Sequence, residues 1–83
     1  MGGKPTRVTN AIRALRFVRG EMTQAELAER VGVTRQTVIA IEQGRYSPSL
    51  ETAFLIARAL GAPLDEVFGY PDDGAGAADH DER

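Results

Sequence analysis

Residues 23–44, TQAELAERVGVTRQTVIAIEQG, decide the fold, because they spell two short helices joined by a tight turn. Thr23 is placed to cap the first helix, and Glu26, three positions on, to return its carboxylate to the cap's own N–H. Met22 and Leu27 flank this capping box as a hydrophobic staple. Leu27, Ala28 and Val31 then share one helical face, and Gly32 follows where a left-handed residue ends a helix without a Cβ penalty. Ala28 is small enough to let a second helix cross closely. Thr34 caps that second helix, Val33 and Val38 form its staple, Val38 and Ile41 point inward, and Gly44 ends it.

On the N-terminal side, Thr9 is the expected cap of a helix over residues 10–19, in which Ile12, Leu15 and Arg16 share one face. Arg16 therefore brings a charge onto a core-facing stripe. Glu42, one turn after Val38 and beside Ile41, does the same from the second helix of the motif. A charge is rarely buried without a partner, so these two are expected to pair. Phe17 and Val18 lie off the stripe; either they cover the C-terminal helix or one of them is left exposed. On the C-terminal side, a helix over residues 50–60 presents Leu50, Ala53, Ile56, Ala57 and Leu60 to the core and stops at Gly61, with Leu55 on its outer side. After Pro63 a short helix carries Leu64, Val67 and Phe68 on one face, with Tyr70 beyond. That is much apolar surface for a minor element, which either completes the core or also forms an interface.

Gln24 at the opening of the motif, Ala28, Gly32 in the turn, and Val38 and Ile41 in the second helix together carry a resemblance. The segment resembles the helix-turn-helix of the phage-repressor and Cro-like (xenobiotic-response-element) family of transcriptional regulators. The likeness extends over roughly residues 11–68 and includes QGRYSPSLETAFLIARALG, residues 43–61, which is similar to the family's following loop and fourth helix. It implies an all-α fold, a five-helix bundle of the lambda-repressor-like type, with the helix at residues 35–43 in the DNA major groove. It also implies a structural ion pair between Arg16 and Glu42, and a two-fold interface drawn from Leu55, Leu64, Val67, Phe68 and Tyr70. Gly20-Glu21-Met22 is one residue longer than the commonest family loop, an insertion expected to alter only the local turn.

With Val38, Ile41 and Glu42 turned inward, the opposite face of that helix presents Arg35, Gln36, Ile39, Ala40 and Gln43. Arg35 can donate twice to guanine, Gln36 can bridge the donor and acceptor edge of adenine, and Ile39 and Ala40 can meet thymine methyl groups. An ordinary solvated face could also hold Arg and Gln, but a β-branched apolar residue such as Ile39 is hard to justify there without a partner. The resemblance assigns backbone phosphate contacts to the following loop together with Gln24 and Gln43. Thr34, Arg45, Tyr46 and Ser47 are suitable donors, and contacts of this kind set register without reading sequence. Ser47 and Ser49 could instead make the turn, with Ser49 capping the next helix.

At 83 residues the chain is one domain with a core only just large enough, so dimerisation would aid stability as well as function. It has no cysteine, hence neither a disulfide framework nor a thiolate metal site. No apolar run is long enough to cross a bilayer, since Arg58 interrupts the best one, and no signal-peptide pattern opens the chain; a cytoplasmic protein is expected. The net charge of −2 is uneven: residues 1–70 carry nine Lys or Arg against seven Asp or Glu, whereas residues 71–83 carry one Arg against five acids. The organisation expected is a flexible arm at residues 1–8 with Lys4 and Arg7, a DNA-binding domain at 9–70, and an acidic tail at 71–83 of disordered composition. His80 in that tail is incidental. No nucleophile–base set, phosphate-cradling glycine loop or metal cluster is recognisable, so no enzyme activity, cofactor, metal or small-molecule ligand is expected. The function expected is sequence-specific regulation by a homodimer on a palindromic operator of double-stranded DNA. The alternative is an adaptor or antitoxin-type interaction module of the same fold, with the tail as its partner-binding element.

Overall fold

The computed structural model describes residues 6–71; most of the arm, the acidic tail from residue 72 on and His80 lie outside the described residues. In chain order the elements are β1 (Thr9–Asn10), α1 (Ile12–Val18), α2 (Gln24–Val31), α3 (Arg35–Glu42), α4 (Leu50–Leu60), α5 (Leu64–Val67) and β2 (Phe68–Gly69). The five-helix expectation holds, with one small addition. β1 pairs antiparallel with β2, Thr9 opposite Gly69 and Asn10 opposite Phe68, and the Ala11 N–H extends the ladder by donating to the Val67 carbonyl at 2.8 Å. This ladder corrects the expected start of α1. Thr9 is held extended and cannot cap the helix, which begins at Ile12 with Ala11 in the cap position. The orphan Ile12 N–H donates instead to Asn10 Oδ1 at 3.1 Å.

The motif helices start and stop for local reasons. Thr23 Oγ1 accepts from the Glu26 N–H at 2.9 Å, and Glu26 Oε1 accepts from the Thr23 N–H at 2.8 Å, closing the capping box of α2. Gly32 then turns the chain with φ of 90°, a left-handed conformation that costs an L side chain about 1–2 kcal/mol. Thr34 caps α3 by accepting from the Thr37 N–H at 3.1 Å, and Ser49 caps α4 in the same way from Thr52 at 3.2 Å. α3 closes in a Schellman motif: the Gly44 N–H donates to the Ile41 carbonyl and the Arg45 N–H to the Ala40 carbonyl, both at 3.0 Å. The long loop after α1 places Gly20 and Glu21 in succession in the left-handed region, with φ of 88° and 61°. Its extra residue is absorbed locally, because the Met22 N–H still returns to the Arg16 carbonyl at 2.9 Å and the Met22 side chain still reaches the core.

α2 packs against both α3 and α4, and the core is built where they meet. Ile12, Leu27, Val38, Ile41, Ile56, Leu60 and Val67 are buried there with Met22, Ala28, Val31 and Ala57. One expectation changes and one alternative is settled. Leu50 is 67% exposed: it lies on the same i, i+4 row as Phe54 and Arg58, turned away from the stripe of Ala53, Ile56 and Ala57. Val67, which the sequence leaves open between core and interface, is 1% exposed and enclosed by the domain's own core, so it has no surface to offer a partner. Leu64 and Phe68 are half-buried against that core, while Leu55 and Tyr70 are exposed. Phe17 and Val18 are both exposed and cover nothing. Among the described residues, no helix is long and apolar enough to cross a membrane.

One ion pair ties α1 to α3. Arg16 Nε donates to Glu42 Oε2 at 2.7 Å and Arg16 Nη2 to Oε1 at 3.2 Å, a bidentate fork on side chains only 14% and 9% exposed. Arg16 Nη1 donates to the Met22 carbonyl at 2.8 Å, so the same guanidinium also holds the loop into α2. Removing Glu42 leaves the Arg16 charge desolvated and unpaired. Glu42→Ala should cost about 3 kcal/mol in urea unfolding, whereas Arg16→Met with Glu42→Leu should cost much less than the two single substitutions summed. Additive effects in that double-mutant cycle would contradict a functioning pair.

Candidate nucleic-acid interface

α3 is eight residues long, about 12 Å of helix, and burial of Val38 and Ile41 fixes its rotation against the core. With those two turned inward, Arg35, Gln36 and Gln43 are exposed on the far side. Ile39 and Ala40 are half-buried, at the margin of that face. Exposed amide and guanidinium donors therefore stand on a short, rigid rod of about the width of the B-DNA major groove.

The donors assigned to phosphates lie around this rod in three places. Gln24, at the first position of α2, is half-buried and donates through Nε2 to Glu42 Oε1 at 3.2 Å. That bond uses one of the amide's two N–H groups and leaves the other for a ligand. Thr34 is exposed at the start of α3, where its oxygen caps the helix; in the 2.9 Å contact with the Thr37 hydroxyl either group can donate, and when Thr37 donates the Thr34 proton is left for a phosphate. Arg45, Tyr46 and Ser47 are exposed beyond the far end of the helix, where the Schellman closure fixes the direction of the chain. Ser49 caps α4, so it belongs to the scaffold.

A groove runs beside the first of these places, between α1, the start of α2 and α3. Arg13, Gln24, Arg35 and Gln43 line it together with the Arg16–Glu42 pair. Glu42 is matched by Arg16, which leaves Arg13 and Arg35 facing the groove against a single further carboxylate, Glu21. The described residues as a whole carry eight arginines against seven acids, so the domain is close to neutral and the case rests on where individual arginines stand. Sequence reasoning misses Arg13. The available signal is its position one turn before Arg16, which puts it at the edge of the same face of α1.

The helix-turn-helix family profile matches residues 12–67, the first residue of α1 to the last of α5. An uncharacterized HTH-type transcriptional regulator of Methanothermobacter thermautotrophicus is 64% identical over 55 residues, which cover 65% of this chain and 80% of the relative. The HTH-type transcriptional regulator YgzD of Bacillus subtilis, also uncharacterized, is 48% identical over 64 residues, 77% of this chain and 96% of the relative. The immunity repressor protein of Bacillus phage phi105 is 39% identical over 62 residues, 75% of this chain but only 42% of the repressor. With the profile spanning every helix and the capped motif at its centre, the chain belongs to the helix-turn-helix family of the xenobiotic-response-element type.

Proposed function

We propose that this chain is a sequence-specific DNA-binding transcriptional regulator that acts as a homodimer on a palindromic operator, with α3 in the major groove. The observation that carries the reading is the outward face of α3, where Arg35, Gln36 and Gln43 are exposed on a helix whose inner face is locked into the core. The regulator and repressor names of its relatives support regulation rather than an enzyme reaction. Arg35 donates to guanine O6 and N7, Gln36 pairs with adenine, and Ile39 and Ala40 meet thymine methyl groups at the margin. Gln24, Thr34, Gln43, Arg45, Tyr46 and Ser47, joined by Arg13, hold phosphates and set the register. Residues 9–70 form the binding domain, with 1–8 as an arm and 71–83 as an acidic tail.

The second copy docks on the outer face of α4. Leu50, Phe54 and Leu55 are exposed there beside Glu51 and Arg58 and line one shallow groove with them. An apolar strip flanked by one acid and one base suits a self-complementary contact, because under two-fold symmetry each copy's Arg58 can face the other's Glu51. Tyr70, also exposed and stacked under the Arg7 guanidinium at 5.4 Å from the ring centroid, is a further candidate for the interface; Leu64 and Phe68 are half-buried and offer only their edges. Phe54→Asp, Leu55→Asp and Tyr70→Asp should each shift light-scattering mass from dimer to monomer and weaken operator binding while leaving the helical circular dichroism intact. A parent protein that scatters as a monomer at high concentration would remove this part of the reading.

Base reading and phosphate holding should fail differently. Arg35→Ala should cost about 1–3 kcal/mol on the operator selected from random DNA and relax the preference at one base pair per half-site, with little change on random duplex. Arg45→Ala should weaken both DNAs alike and lower the salt slope by about 1 for each phosphate that Arg45 neutralises. Titration of both variants against both DNAs at several salt concentrations separates the two roles. Equal weakening on all sequences by Arg35→Ala would show that this residue reads no base, and unchanged binding in both variants would move the function to a protein partner.

A further inference from the structure

Asn10 stands in β1, yet its side chain reaches the far end of the base-reading helix. Its Nδ2 donates to the Ile41 carbonyl at 3.0 Å and lies 3.5 Å from the Glu42 carbonyl. These are among the last four carbonyls of α3; the Ile41 carbonyl, which also takes the Gly44 N–H of the Schellman closure, accepts this side-chain bond with its second lone pair. Its Oδ1 meanwhile accepts the Ile12 N–H that opens α1. One amide thus closes the start of α1 and the end of α3 at once. The acceptor on one side and the carbonyls on the other fix which way the amide faces, and both ends of the group are used.

The anchor itself is held. Asn10 pairs with Phe68 in the ladder, and the next residue, Ala11, donates to Val67, whose side chain is in the core. Beside this backbone tether, the Glu42 side chain is gripped by Arg16 and Gln24. α3 is therefore fixed at its C-terminal end from two directions, while Arg35 and Gln36 stand at the opposite end. Six residues separate Arg35 from Ile41, about 9 Å of helix, so a tilt of about 10° at the tether displaces Arg35 by about 1.5 Å. A hydrogen bond to a base edge, confined to about 2.7–3.2 Å, does not survive a shift of that size.

We propose that Asn10 is a positioning residue for DNA reading: its amide fixes the C-terminal end of α3 against α1 and so sets where Arg35 and Gln36 stand over the bases. The proposal rests on the assignment of α3 as the base-reading helix. Two substitutions isolate the tether. Asn10→Ser is neutral and keeps a hydroxyl acceptor for the Ile12 N–H, but it is too short to reach the Ile41 carbonyl. Asn10→Asp keeps size and acceptor, removes the donor, and sets a carboxylate against helix carbonyls where the macrodipole disfavours it.

The measurements use the full chain, at a temperature where thermal unfolding shows every variant folded. Asn10→Ser should lower affinity for the selected operator by about tenfold, roughly what one base pair read by hydrogen bonds supplies, and leave affinity for random duplex unchanged. In the DNA-free protein, both variants should speed amide hydrogen exchange in α3 relative to α4. Retention of the parent's operator preference by Asn10→Ser would overturn the proposal. So would a parallel fall on both DNAs with a lowered Tm, which marks a purely structural residue. If the parent itself prefers no sequence, base reading by α3 fails, and hydrogen exchange still judges the tether: faster exchange confined to α3 supports it, and a uniform or absent change rejects it.

Discussion

The Glu42 carboxylate is the constraint around which this small domain is arranged. It sits in the last turn of α3, where the helix dipole disfavours a negative charge, and its side chain is only 9% exposed. Such a group is tolerable only if its oxygens are occupied by strong donors. Arg16 supplies two from α1 and Gln24 a third from the first turn of α2, while the remaining Arg16 nitrogen takes the Met22 carbonyl. One charge thus gathers the end of α3, the body of α1 and the start of α2. Apolar residues of similar size could hold these elements together at comparable stability, but dispersion is non-directional. The bidentate fork adds a fixed angle between the helices.

Angle matters because α3 is too short to stand alone. Isolated helices below about 12–15 residues are marginal in water, and this one has eight, so its existence depends on Thr34 at one end, the Schellman closure at the other, and Val38 and Ile41 in the core. None of these groups is on the outward face. Arg35 and Gln36 are exposed at the opposite side of the helix from the residues that keep it folded. The residues proposed to read DNA can therefore change with little effect on stability, whereas Glu42 and Arg16 cannot.

The legible and illegible parts of the chain divide by sequence distance. Thr23 with Glu26, Gly32, Thr34, Ser49 and Gly61 act within four residues of themselves, and the sequence places each of them correctly. The inward residues of α2 and α3 follow from helical period. Leu50 misleads because it lies between two rows: about 60° of helical rotation separate it from Ala53, a core position, and about 40° from Phe54, an outer one. Thr9 misleads because a good capping residue is also a good strand residue, and its strand partner, Gly69, is at the other end of the domain. Val67 is claimed by the core through the same ladder. Asn10 carries no local signal at all, since its partners in α3 lie more than thirty residues ahead. Arg13 is readable from its spacing to Arg16, yet only the groove shared with Arg35 and Gln24 gives that spacing a meaning.

The charge balance constrains how such a domain can bind DNA. Eight arginines against seven acids among the described residues give almost no long-range field, and the acidic tail makes the whole chain negative. Nonspecific affinity, which comes from neutralised phosphates and released counterions, is then small, and with few phosphates neutralised its dependence on salt is shallow. A single domain with few exposed arginines near α3 has little to hold it on random sequence, so in the proposed reading affinity comes from base contacts and from doubling them in a dimer. Under that proposal, two half-sites read by one dimer would add their base-contact energies. Weak general attraction with strong local contacts widens the ratio between specific and nonspecific binding, and that ratio is the quantity a regulator needs. A domain of this charge is suited to that division of labour only if α3 is held rigidly, because contacts that are few in number cannot be replaced when one is misplaced.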